Sequence, residues 1–101
     1  MKAALVATAF LWTLSAQAGP IEDALAKSGC IACHSKEQKM MGPSFKEIAA
    51  KYKGQDAVAK VMDKVRKGGS GNFGAIPMAP NPPDKISDKD LKAVVEMILK
   101  S

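Results

Sequence analysis

The chain predicts an all-α domain of four short helices, and three observations lead there. Apolar residues recur at i, i+3, i+4 and i+7 in several separate windows. Glycine and proline stand between those windows rather than inside them. No alternating apolar–polar run is long enough to argue for a strand.

The first helix is expected over Pro20 to Ser28. Pro20 suits a first-turn position, Ile21, Ala24 and Leu25 share a face, and Gly29 stops the run. Gly42-Pro43 then breaks the chain, and Ser44-Phe45-Lys46-Glu47 has the form of a capping box. Phe45, Ile48, Ala49 and Tyr52 supply the apolar face of the second helix, which Gly54 ends. Asp56 is the expected cap of the third helix, whose face is Val58, Val61, Met62 and Val65. Arg66 and Lys67 suit the negative end of its dipole, and Gly68-Gly69 closes it. The fourth helix starts at Ser87, with Asp88 and Asp90 in its first turn and a stripe of Leu91, Val94, Val95, Ile98 and Leu99. Between Gly68 and Ile86 no helical pattern appears. This stretch holds four of the eight glycines and four of the six prolines. So long an irregular segment marks either disorder or a functional loop. Phe73, Ile76, Pro77 and Met78 favour the loop, because a solvated linker has no use for them.

Residues 1–18 read as a secretory leader. Met1-Lys2 is a positive start, Ala3 to Leu14 is uncharged and mostly apolar, and Ala16-Gln17-Ala18 offers a cleavage site. The apolar run is shorter than the ~20 residues of a spanning helix. The expected mature chain is residues 19–101, one small domain without tryptophan, maturing in a periplasm. Removing Lys2 takes one from the 15 basic residues and leaves 14 against 10 acidic ones, a formal charge of +4. Basic residues interspersed with acidic ones in a secreted chain argue against nucleic acid. They suit solubility or docking to acidic surfaces.

Cys30-Ile31-Ala32-Cys33-His34 contains both cysteines and the only histidine of the chain. CxxCH is the attachment pattern of c-type haem: two thiols spaced for two vinyl groups, then an imidazole for the iron. A thioredoxin-like dithiol would need a βαβ frame, and a zinc site would need further ligands; the sequence offers neither. One covalent haem would also give so short a chain the core it lacks, and its two propionates would bring the charge towards +2. His34 needs an acceptor for its second ring nitrogen, and the Pro43 carbonyl is the nearby candidate.

The second axial ligand follows by elimination. No other His or Cys exists, so methionine is the remaining soft donor. Met40 and Met41 follow His34 too closely to pass round a macrocycle. Met62 and Met97 sit on helical apolar faces, where methionine is a common filler. Met78 stands in the long loop between Pro77 and Pro80, which stiffen its surroundings.

Cys30-Ile-Ala-Cys-His34, Met41-Gly-Pro43, the Gly-rich run through Gly74 and Ile76-Pro-Met78-Ala-Pro-Asn81 resemble the short bacterial class I cytochromes c over essentially all of residues 19–101. The resemblance implies four short helices wrapped around one covalently attached haem, with His34 and Met78 as axial ligands. It implies that the Pro43 carbonyl accepts from His34 and that Asn81 lies near the Met78 sulfur. It also implies a periplasmic monohaem electron carrier, not an enzyme and usually a monomer. Its partners would be redox proteins such as a periplasmic reductase, a terminal oxidase or a membrane cytochrome complex. Two positions depart from the family: many members carry Trp where this chain has Phe73 and where it has Met97. Lys36, Lys39 and Lys46 flank the motif and are candidates for a docking ring. An open sixth position that takes a gas or peroxide, and a haem-free dithiol, are the rival readings.

Overall fold

The structure, a computed structural model, describes residues 19–101 together with Ala4 and Thr8. The expected leader at residues 1–18 otherwise lies outside the described residues. Among the described residues four α-helices follow in order: α1 (Pro20–Lys27), α2 (Phe45–Lys51), α3 (Val58–Lys67) and α4 (Asp88–Leu99). A single 3-10 turn at Cys30–Ala32 follows α1. Among the described residues there is no strand, only an isolated antiparallel bridge between Gly69 and Met78. No described helix is long and apolar enough to cross a membrane.

The helix starts show why these segments fold as they do. Pro20 opens α1 at a position where its missing N–H costs nothing. At α2 both halves of the capping box form: Glu47 N donates to Ser44 Oγ at 3.0 Å, and Ser44 N donates to the Glu47 carboxylate at 3.3 Å. Ser87 Oγ accepts from Asp90 N at 3.2 Å and starts α4. The expected cap at Asp56 is not used. Helix α3 begins two residues later, its N-cap is Ala57, and no side chain caps it. Ala57 is buried in the core, and its carbonyl accepts from Val61 N at 2.9 Å. Burial of this small apolar residue therefore sets the helix start, in place of a capping side chain.

Helix α4 is the axis of the domain and packs against α1, α2 and α3. Its buried residues Leu91, Val94, Val95 and Ile98 meet Leu25 of α1, Phe45 of α2 and Val61 of α3 in one core. Met62 and Met97 are half-buried and pack against that core, as their helical spacing predicts. The segment from 70 to 85 makes no helix. It runs over one side of the core and returns at Ile86, which is buried.

Candidate functional site

The motif sits at a sharp bend. Gly29 takes φ 80°, a left-handed value that other residues avoid, and so turns the chain out of α1. The 3-10 turn follows, with Cys33 N and His34 N both donating to the Cys30 carbonyl, at 3.2 and 3.0 Å. Cys30, Cys33 and His34 are thereby brought to one wall of a cavity of about 300 Å³. Both thiols are free and half-buried.

Three contacts fix the imidazole. His34 Nδ1 donates to the Pro43 carbonyl at 2.7 Å. A carbonyl can only accept, so the proton is on Nδ1 and Nε2 keeps its lone pair for a metal. The ring stacks on Phe45, with centroids 5.9 Å apart. Gly42 lies against the other ring atoms so closely that a Cβ there would fall 2.5 Å from Cε1 and 3.0 Å from Nε2. The chain is held over the ring by Gly42 N donating to the Cys33 carbonyl at 2.9 Å. Phe45 N to the Ser35 carbonyl, at 2.8 Å, continues this lacing into α2.

Met78 lines the same cavity from the long loop. Its backbone is pinned from both directions: Gly69 N donates to the Met78 carbonyl and Met78 N to the Gly69 carbonyl, both at 2.9 Å. Gly68 makes this approach possible. A Cβ there would collide with the Met78 carbonyl and sit 2.8 Å from Pro80 N, and its φ of 68° is already left-handed. Asn81 is buried beyond Met78. Its backbone N donates to the Val65 carbonyl at 3.1 Å, and its side-chain amide donates to the carbonyls of Val65 and Ala79 at 3.3 and 3.0 Å. Both amide donors are thus engaged with backbone.

The remaining wall is apolar, with Phe45, Val61, Leu91, Val94 and Ile98 drawn from α2, α3 and α4. Of the other methionines, Met41 reaches the cavity only at its rim and is 61% exposed, while Met40 is exposed outside it. Phe73 lies at the mouth, 37% exposed, with the Lys51 ammonium 4.5 Å over its ring. Lys51 also donates to the Asn72 carbonyl. Sequence reasoning missed several of these positions. It read Gly42 as a chain break, Gly68-Gly69 as a helix stop and Arg66 as a dipole partner. Their contacts with His34, Met78 and the 79–88 segment are tertiary, and local pattern carries no signal for them beyond the unusual density of glycine.

Two thiols, an imidazole with one nitrogen committed to a carbonyl and a thioether on a pinned loop surround one apolar cavity. This donor set fits a covalently held iron porphyrin and fits no zinc or dithiol chemistry as well. The Cytochrome c family profile matches residues 23–101. The chain belongs to the cytochrome c family. It is 54% identical to cytochrome c2 of Rubrivivax gelatinosus over 76 residues, 74% of this chain and 89% of that one. It is 44% identical to cytochrome c-551 of Azotobacter vinelandii over 79 residues, 77% and 93% of the two chains. The crystal structure of Nitrosomonas europaea cytochrome c552 superposes with a TM-score of 0.70 at 46% identity, covering 77% of this chain and 95% of that one. As a small monohaem cytochrome c, the protein carries one covalent haem c and is an electron carrier rather than an enzyme, exchanging electrons with redox proteins.

Proposed function

We propose that this cytochrome c is a periplasmic one-electron shuttle between respiratory redox proteins, its iron held by His34 and Met78 and its haem joined to Cys30 and Cys33. The observation that supports this most directly is the cavity they share, with His34 Nε2 left free by the Pro43 bond and Met78 fixed to Gly69. The haem supplies the one-electron couple, and the chain supplies its surroundings. Pro43 holds the imidazole in one tautomer and orientation. Met78 would be the second protein ligand of the haem iron, which would leave no place there for substrate and would favour the reduced state. The apolar wall excludes water and disfavours the extra charge of the oxidised state. Asn81 acts on Met78 through the backbone it braces. Residues 1–18 direct export and are removed, and the mature chain works as a monomer.

Lys36, Lys39 and Lys46 are exposed and lie close to the motif in the sequence, as do the exposed Ile31 and Met41. Such a mixture suits brief contacts with an acidic partner whose redox centre must come close. Its association rate should fall as salt shortens the Debye length from ~30 Å at 0.01 M to ~8 Å at 0.15 M. A rate that ignores salt would reduce these lysines to ordinary solvated side chains.

Spectroscopy of the purified mature protein tests the central reading. The haem should stay with the chain in acid acetone, and the oxidised form should show the weak near-infrared band of methionine on ferric iron. Covalent haem without that band would remove Met78 from the iron and favour an open sixth position.

A further inference from the structure

We infer that Arg66 is a positioning residue for the iron's second axial ligand, setting how readily Met78 is displaced. The inference rests on the reading of Met78 as that ligand. Arg66 lies in the last turn of α3, and its side chain is only 18% exposed. It spans three acceptors on the segment that follows Met78. One Nη1 hydrogen bond goes to the Asn81 carbonyl at 2.9 Å and a second to the Ile86 carbonyl at 2.7 Å. Nη2 meets Asp88 Oδ1 at 2.6 Å. The Arg66 carbonyl also accepts from Asn81 N at 3.3 Å. The end of α3 and the residues that follow it therefore hold the Met78 loop twice, through Gly69 at Met78 itself and through Arg66 after it.

Met78 could leave the iron by rotation of its own side chain or by movement of its loop, and the second depends on what holds the loop. With Gly69 bonded to Met78 itself, the natural opening is a swing of residues 79–86, and Arg66 is the side chain that spans this stretch. The fork matters. A planar guanidinium offers several directed donors at once, whereas an ammonium is a single point charge. The contacts differ in weight. Asp88 is 84% exposed, so its ion pair is open to solvent and salt. The two carbonyl bonds are charge-assisted and partly buried, and these provide the grip.

Imidazole is the probe, added to the oxidised holoprotein and followed by loss of the near-infrared band. Arg66→Met keeps most of the stem and removes every donor. It should lower the apparent dissociation constant for imidazole by about tenfold or more, the effect expected from losing hydrogen bonds to a charged group. Arg66→Lys keeps the charge without the fork and should fall between Arg66→Met and the wild type. Asp88→Asn should change the constant by about twofold or less. Urea midpoints followed by far-UV circular dichroism separate the loop from the fold. Arg66→Lys provides the comparison if Arg66→Met does not fold. Imidazole constants within twofold of wild type in the folded Arg66 variants would make Arg66 a general staple and overturn the inference, whatever happens to the urea midpoint. A wild-type protein that has covalent haem but no near-infrared band would instead sink the Met78 reading itself.

Discussion

At Gly42 the backbone passes over the His34 ring with no room for a side chain: a Cβ would lie 2.5 Å from Cε1 and 2.9 Å from Nδ1. The ring cannot retreat. Phe45 stacks on it, and the 2.7 Å bond to Pro43 fixes its tilt. Gly42→Ala must therefore push backbone and imidazole apart, at a cost of about 1–3 kcal/mol for overpacking a filled site. The displacement reaches both ring nitrogens, which would lie 2.9 and 3.0 Å from that Cβ. The expected outcome is a lowered urea midpoint in the holoprotein together with a changed reduction potential. Cyclic voltammetry and denaturant titration would read the two effects separately. A variant with native midpoint and native potential would show that the turn relaxes freely.

Among the elements, the end of α3 has the largest consequence for the site. Gly68 takes φ 68° and ψ −154°, a region essentially reserved for glycine, and Met78 and Pro80 lie directly against it. Gly54 also has a left-handed φ of 78°, but nothing lies within 4 Å of a Cβ there. The two glycines form a natural pair of tests. Gly54→Ala should cost about 1–2 kcal/mol from backbone conformation alone and leave the near-infrared band intact. Gly68→Ala should cost about 3 kcal/mol or more and weaken that band, because strain and collision both fall on the Met78 segment. Equal costs and identical spectra would refute the link between this helix end and Met78 as the proposed iron ligand. The helices themselves were legible in the sequence because their causes are local. Ser44 and Glu47 cap α2 through bonds three residues apart, and the α4 stripe follows one period. The pattern of Cys30, Cys33 and His34, from which one covalent haem was expected, was legible for the same reason. The Asp56 cap failed because burial of Ala57 outweighed a local hydrogen bond. The grip of Gly69 and Arg66 on the Met78 loop stayed hidden because it joins segments that meet only after folding.

For the molecule as a whole, the core and the haem site share the same residues. Val61, Leu91, Val94 and Ile98 belong to the hydrophobic core and also form the cavity wall. Helix α4 packs on all three other helices from that wall, so the prosthetic group completes the core in addition to occupying a site. Unfilled apolar volume in an enclosed core costs ~24 cal/mol per Å³, so a cavity of about 300 Å³ that opens to solvent on one side sets roughly 7 kcal/mol as an upper bound on what filling it contributes. Small domains have on the order of 5–15 kcal/mol in all, and one of this size sits towards the lower end. Collapse of the walls would reduce the cavity term only by moving α4 off its partners. The Cys30→Ser, Cys33→Ser double variant, which cannot attach haem covalently, should therefore lack most of the helical far-UV signal of the holoprotein at 25 °C. Its unfolding in urea should be shallow or absent, because little apolar surface remains buried to be exposed. A haem-free variant that kept the native helical signal and a cooperative urea transition would mean that the four helices close a sufficient core by themselves. The cavity would then be a site added to a finished fold, and the Met78 loop would be the only part of the domain that depends on the iron.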